Sequence, residues 1–92
     1  MVAIKLPTVG VLTKVDPITL DTLQAAVGGM IEIVRIGRYC SQYAGKIMIV
    51  NENGISEELL ANPRASLIYE KAFGVLQPIL GDVVLCDETD IS

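Results

Sequence analysis

Two short segments of the chain, residues 30–36 and 46–50, carry apolar side chains at almost every position. Alternate side chains of a β-strand point to opposite faces of the sheet, so a strand that is apolar throughout must be covered on both faces. Only Glu32 and Arg35 interrupt the first segment, and only Lys46 interrupts the second. The two segments therefore predict two central strands of a sheet.

The rest of the chain predicts further strands and two helices around this pair. Short apolar or β-branched runs indicate strands at residues 2–6, 9–15, 75–80 and 83–86. Apolar residues at helical spacing indicate helices at 18–27 and 64–73, and Ser56 can begin one helical turn over 56–61. The order β-β-α-β-β-α-β-β is typical of an α+β domain with a small, mostly antiparallel sheet and two short helices on one face.

Capping residues mark the ends of the helices. Asp16 or Thr19 can cap the first helix, and the pair Gly28-Gly29 ends it because glycine tolerates a left-handed backbone. Asn62 is the predicted cap of the second helix, since a proline follows it at the first helical position.

The small number of helices leads to a prediction about the oligomeric state. A chain of 92 residues forms one domain, 1–92, and two short helices can cover only one face of its sheet. The other apolar face then needs a partner, which predicts a homo-oligomer in which a second subunit covers it. The last residues, 86–92, are predicted to be a frayed acidic end.

The composition excludes several classes of chemistry. Histidine is absent, so the chain has no Ser-His-Asp triad, no Cys-His dyad and no histidine metal ligand. Two cysteines, Cys40 and Cys86, are too few for a structural zinc site. No signal peptide is expected, so both are predicted free in a reducing compartment, with Cys86 buried. We therefore predict no metal and no cofactor.

Charge and hydropathy restrict the partners. With 7 basic and 11 acidic residues the formal net charge is −4, which makes the chain a poor candidate for binding duplex nucleic acid. No apolar run reaches the ~18 residues of a membrane-spanning helix. The expected location is cytoplasmic, with neither duplex nucleic acid nor a membrane as partner.

One group of residues is suited to binding a small anionic ligand. Its members lie in or beside the loop 37–45 or in the first turn of the second helix, and they are Arg35, Arg38, Tyr39, Tyr43, Lys46 and Arg64. Arginine guanidinium groups match phosphate oxygens, and a tyrosine ring can stack on a base. An anion would also relieve the conflict between Arg64 and the positive end of its helix. The plainer interpretation is a solvated loop.

Two other functions stay open. The acidic residues near the end of the chain, Asp82, Asp87, Glu88 and Asp90, could mimic nucleic acid and dock on a basic protein surface. An enzyme could use Glu32 or Asp82 with a tyrosine or lysine, since a carboxyl group can act as a general acid. A glutamate on an apolar strand more often has a structural role, paired with a cation or placed at a sheet edge.

The order of several short motifs resembles a known family. The motifs are Gly28-Gly29-x-Ile31-Glu32, Asn51-Glu52-x-Gly54, Asn62-x-x-Ala65 and Gly81-Asp82-Val83. Over about residues 19–86 they resemble the small phage and plasmid proteins grouped as domain of unknown function 3846, and the motif residues are expected to be mainly structural. The resemblance implies a mobile-element origin and a location in the cytoplasm of an infected bacterium.

In that setting we expect a non-enzymatic phage accessory protein. Small oligomeric phage proteins often counter host defence, and one route is to sequester a nucleotide signal. Arg35, Arg38 and Lys46 would contact the phosphate, and Tyr39 or Tyr43 would stack on the base. The alternative is an inhibitor whose acidic surface blocks a host protein.

Overall fold

The helices and strands follow the predicted order as far as the second helix. The computed structural model of the chain describes residues 3–38 and 40–91. In chain order its elements are β1 (Ala3–Leu6), β2 (Thr13–Val15), α1 (Leu20–Val27), β3 (Ile31–Val34), β4 (Lys46–Asn51), α2 (Pro63–Phe73) and β5 (Val83–Asp87). Short 3₁₀ turns lie at Ser41–Tyr43 and Glu88–Asp90. The chain is an α+β protein, as predicted.

The five strands in the described part of the chain form one antiparallel sheet in the order β2-β1-β5-β4-β3. β5 lies in the middle, where Leu85 stands opposite Ile4 of β1 and Met48 of β4. β4 is an inner strand, as predicted, but β3 is an edge, so the predicted central position of residues 30–36 is wrong. β3 is apolar on both sides because both layers that cover the sheet extend over it.

The two helices pack on opposite faces of this sheet. Ile47 and Ile49 of β4 belong to an apolar cluster with α1. The alternate residues Met48 and Val50 belong to a second cluster with α2. The prediction of both helices on one face is therefore wrong. Side chains that alternate along an apolar inner strand need cover on both faces, and the chain provides one helix for each.

This arrangement removes the reason for which a second subunit was predicted. The inner-strand side chains that were expected to need a partner are covered by the chain's own helices, and Ile47, Met48 and Ile49 are fully buried. The oligomeric state itself stays a prediction.

The helical turn predicted for residues 56–61 does not form. Residues 52–58 make a series of hydrogen-bonded turns instead, in which Glu58 has a φ of 55°. This left-handed backbone cannot continue a right-handed helix.

The strand predicted for residues 75–80 does not form either. The amide of Ile79 donates a hydrogen bond to the hydroxyl of Ser66 on α2 at 2.9 Å, and Leu80 makes an isolated bridge to Ala61. Pro78 has no amide hydrogen, so this segment cannot complete a regular ladder. It crosses the molecule as an extended connection between α2 and β5.

The acidic end, predicted to be frayed, is held in place as far as Ile91. The amide of Glu88 donates to the carbonyl of Gly45 at 2.8 Å. The amide of Asp87 donates to the carboxylate of Asp90 at 3.0 Å. Ile91 packs against the apolar cluster under α1. These contacts attach the residues after β5 to the loop that precedes β4.

Local capping sets the helix ends. Thr19 caps α1, and its hydroxyl accepts a hydrogen bond from the amide of Thr22 at 3.1 Å. Gly28 ends the helix in the left-handed conformation, with a φ of 80°. Of the two capping residues that the sequence allowed for α1, the structure uses Thr19.

Asn62 joins α2 to the middle of the sheet. The residue is fully buried, and its side-chain oxygen accepts a hydrogen bond from the amide of Ala65 at 3.1 Å, which caps α2 as predicted. The side-chain amide donates to the carbonyls of Leu6 at 2.8 Å and Gly81 at 2.9 Å. One side chain therefore satisfies backbone groups in three separate segments.

Replacing Asn62 with Ala is expected to lower the free energy of unfolding by about 2–4 kcal/mol, because α2 loses its cap and two buried carbonyls lose their donors. Urea unfolding should show a lower midpoint with an unchanged slope. Asn53→Ala, in an exposed turn, is the matched control and should have little effect. A loss below about 1 kcal/mol in Asn62→Ala would contradict this role.

Candidate functional site

An open cleft lies between the edge strand β3 and the second half of α2. Its volume is about 400 Å³, within the range of small-molecule sites. Val34, Val50 and Ile79 form an apolar floor. Glu32 stands opposite Val50 in the β3–β4 ladder and lines the same cleft. We call this the β3–α2 cleft.

Two aromatic rings of α2 line the cleft. Tyr69 and Phe73 are four residues apart on the helix, and their ring centroids are 4.5 Å apart at an interplanar angle of 39°. Both residues are half-buried, so part of each is packed and part is accessible. The sequence predicts them only as part of the apolar face of the helix at 64–73. The signal that could have marked them is an aromatic pair, four residues apart, at the margin of that face.

Three of the predicted cations meet beside the cleft. Arg35, Arg38 and Lys46 line a hollow of about 280 Å³, and Arg35 and Arg38 also line the β3–α2 cleft. We call this the cation hollow. Glu88, from the 3₁₀ turn after β5, also lines this hollow.

A glycine lets the chain approach closely enough to form this hollow. A Cβ atom at position 37 would lie 2.3 Å from the carbonyl oxygen of Tyr43 and 2.9 Å from the amide nitrogen of Gly45. Only glycine fits there without displacing the backbone. The tight packing of residues 37 and 43–45 keeps Arg38 and Lys46 on neighbouring parts of the loop.

The three cations differ in their partners. Arg35 pairs with Glu88 through Nε and Oε1 at 3.0 Å, and both side chains are about half exposed. Lys46 pairs with Asp87. The side chain of Arg38 makes no ion pair or hydrogen bond with another described residue. Arg38 is therefore the cation most available to an external anion.

Two of the other predicted binding residues, Tyr43 and Arg64, do not line the cleft. Tyr43 is half-buried against the apolar cluster under α2. Tyr39 lies outside the described residues. Arg64 donates hydrogen bonds to the carbonyls of Pro7 at 3.0 Å and Gly10 at 2.6 Å, so it fastens the loop after β1 to the start of α2.

Most residues of the recognised motifs make structural contacts. Asn51 is buried and donates to the carbonyl of Val27 at 3.2 Å. A Cβ atom at Gly54 would lie 3.2 Å from the Cβ atom of Leu80. Glu32 differs from these residues, because its side chain is exposed at the β3–α2 cleft and no described residue hydrogen-bonds to it.

The acidic residues do not gather on one surface. Asp82 lies before β5, where it accepts a hydrogen bond from the amide of Thr8 at 2.8 Å and pairs with Lys5 at 3.5 Å. Asp87 and Glu88 lie at the other end of β5 and pair with cations of the cation hollow. The strand separates the two acidic groups, and their charges are partly neutralised within the chain.

The described residues contain neither a metal-binding cluster nor a membrane-spanning helix. Within residues 3–38 and 40–91, no three cysteine or carboxylate side chains are grouped so that they could hold a metal ion. No helix in these residues has both the length and the apolar composition needed to cross a bilayer.

Cys86 belongs to β5, and its side chain is buried on the face of the sheet that α1 covers. The thiol is free and buried, as predicted. Burial, followed by the negative charges of Asp90 and Asp87, raises the pKa of the Cys86 thiol from 9.0 to about 11, against the opposing effect of Lys46. At neutral pH the side chain therefore remains a protonated, apolar part of the core.

We expect this shift to make the protein lose stability in alkaline solution. The thiol ionises near pH 9.0 in the unfolded chain but stays protonated to about pH 11 in the folded chain. The stabilisation that results is fully present below pH 9.0 and is lost as the pH rises to about 11. Urea unfolding across this range should show a steeper decline for the wild type than for Cys86→Ala, while parallel declines would contradict the assignment.

No curated protein and no solved structure matches the chain. The family described as a domain of unknown function (DUF3846) matches residues 4–92. This range covers nearly the whole chain. It contains every motif on which the resemblance to the family is based. The chain therefore belongs to the DUF3846 family.

Proposed function

We propose that the protein binds a nucleotide-type ligand in the β3–α2 cleft and acts by sequestering it. The observation that carries the proposal is that two arginines and two aromatic rings, from separate parts of the chain, line one cleft. Arg35 and Arg38 supply groups for a phosphate, and Tyr69 and Phe73 supply ring surface for a base. In a phage protein, such binding would counter host defence by removing a nucleotide signal.

The cationic end suits a phosphate. Guanidinium groups bind phosphate oxygens through paired hydrogen bonds as well as charge. Arg38 has no carboxylate partner among the described residues, and Arg35 has one exposed partner that a phosphate could replace. An exposed ion pair of this kind contributes only about 0–1 kcal/mol, so a phosphate can compete with it.

The middle of the cleft suits a flat ring. Stacking on an aromatic side chain stabilises a bound base by about 1–3 kcal/mol. The apolar floor of Val34, Val50 and Ile79 lies in the same cleft. The rings that would stack are Tyr69 and Phe73, in place of the predicted Tyr39 or Tyr43.

The proposed site lies within one chain. The described residues that line the β3–α2 cleft belong to β3, β4, α2 and the loops beside them. A homo-oligomer, which we retain as part of the proposal, would therefore increase the number of sites without completing any of them.

Arg38→Glu is expected to abolish ligand-induced thermal stabilisation. A ligand at 100 times its dissociation constant adds about 2.7 kcal/mol to the stability of the wild type, and a carboxylate at position 38 would repel its phosphate. The measurement is the melting temperature with each of a panel of purine and pyrimidine mononucleotides, including cyclic forms.

Lys14→Glu is the control for this variant. It makes the same change in charge on β2, an exposed position at the opposite edge of the sheet, and should retain the wild-type shift. If no nucleotide in the panel stabilises the wild type, the proposed function fails.

Glu88→Gln is expected to tighten nucleotide binding about two- to five-fold, because it frees Arg35 from an exposed ion pair of modest energy. Isothermal titration calorimetry at low ionic strength measures the change. Glu70→Gln, which removes the same charge from an exposed position on α2, should bind as the wild type does. Weaker binding in Glu88→Gln would show that this carboxylate positions Arg35 and does not compete with the ligand.

A further inference from the structure

The β3–α2 cleft has different polar groups at its two ends. At one end it meets the cation hollow through Arg35 and Arg38. At the other end it continues into a third hollow, toward the turn that follows β4, and the polar side chains shared by these two cavities are those of Glu32 and Gln77. The cleft is therefore cationic at one end, apolar and aromatic in the middle, and anionic with an amide at the other end.

Glu32 and Gln77 are free to bind a ligand. Neither side chain hydrogen-bonds to another residue in the described part of the chain. Both are exposed, so their polar atoms are accessible from the cleft. Glu32 lies on a strand of the sheet, which holds its backbone in a fixed position.

The chemistry of these two side chains selects among bases. A carboxylate only accepts hydrogen bonds, whereas a glutamine amide both donates and accepts. Guanine presents two adjacent donors, the ring N1–H and the exocyclic amino group, which match the two carboxylate oxygens, and its O6 can accept from the amide. Adenine and cytosine present a ring nitrogen that accepts at the corresponding position, and uracil has one donor between two acceptors.

We propose that the ligand of the β3–α2 cleft is a guanine nucleotide and that Glu32 is the residue that selects the base. The proposal rests on the proposed function, because it assumes a phosphate at Arg35 and Arg38 and a base beside Tyr69 and Phe73. Gln77 supports the selection through O6. A bidentate contact of this kind discriminates between bases by about ten-fold or more.

The test compares three nucleotides that share a ribose and a phosphate. GMP carries both donors, IMP lacks the exocyclic amino group, and AMP presents the acceptor nitrogen. Isothermal titration calorimetry on the wild type should give the order GMP, IMP, AMP from tightest to weakest, with GMP at least about ten-fold tighter than AMP.

Glu32→Gln should reduce the affinity for GMP about ten-fold and leave the affinity for AMP unchanged or improved. Glu70→Gln, with the same change in charge outside the cleft, should keep the wild-type order. Gln77→Ala is a second variant and should weaken GMP and IMP alike, since both carry O6. Circular dichroism and urea unfolding check that each variant is folded.

The outcomes separate this inference from the proposed function. If the wild type binds all three nucleotides equally, or if Glu32→Gln weakens GMP and AMP by the same factor, the choice of guanine is overturned and nucleotide binding stands. If the wild type binds none of the three, and none of the wider panel, both proposals are overturned. Loss of GMP preference in Glu32→Gln alone supports the assignment.

Discussion

The structure depends on burying both faces of the inner strands β4 and β5. Each strand carries apolar side chains on both sides, so neither face of the sheet can be left to water without exposing several isoleucine, valine or methionine side chains. The chain meets this requirement with one helix on each face. Asn62 then fixes α2 relative to β1 and β5 through hydrogen bonds to Leu6 at the end of β1 and to Gly81 in the segment just before β5.

The cleft is a consequence of this arrangement. α2 has 11 residues and begins beside the loop after β1, where Arg64 is held by backbone carbonyls. Its second half faces the edge strand β3, and no strand of residues 3–38 or 40–91 lies beyond β3 to fill the space. Gly37 packs closely against Tyr43 and Gly45, which brings Arg35, Arg38 and Lys46 together in the cation hollow at one end of that space. An edge strand, a helix margin and a tight loop thus create an open cleft with charged ends.

Several local features were predictable because they depend on neighbouring residues alone. The Asn62 cap, the glycine that ends α1 and the strands at 46–50 and 83–86 follow from short-range patterns, and the structure contains all of them. The cations around the loop 37–45 were also found from sequence, because they lie close together along the chain. Tyr69 and Phe73 were missed as site residues, since an aromatic stripe on a helix gives the same pattern whether it is wholly packed or borders a cleft.

The sequence by itself determined the class of fold, the cap of α2 and the need to cover the inner strands on both faces, because alternation and capping act over a few residues. Only the tertiary structure decided which face each helix covers, that β3 is an edge, and that Glu32 and Arg38 line the same cleft as the rings of α2. Those outcomes depend on contacts between residues far apart in the chain, such as Glu32 with Val50 in register and Arg35 with Glu88 across the cation hollow. The local sequence pattern does not specify such pairs, because they depend on how the loops close and on the register of the strands.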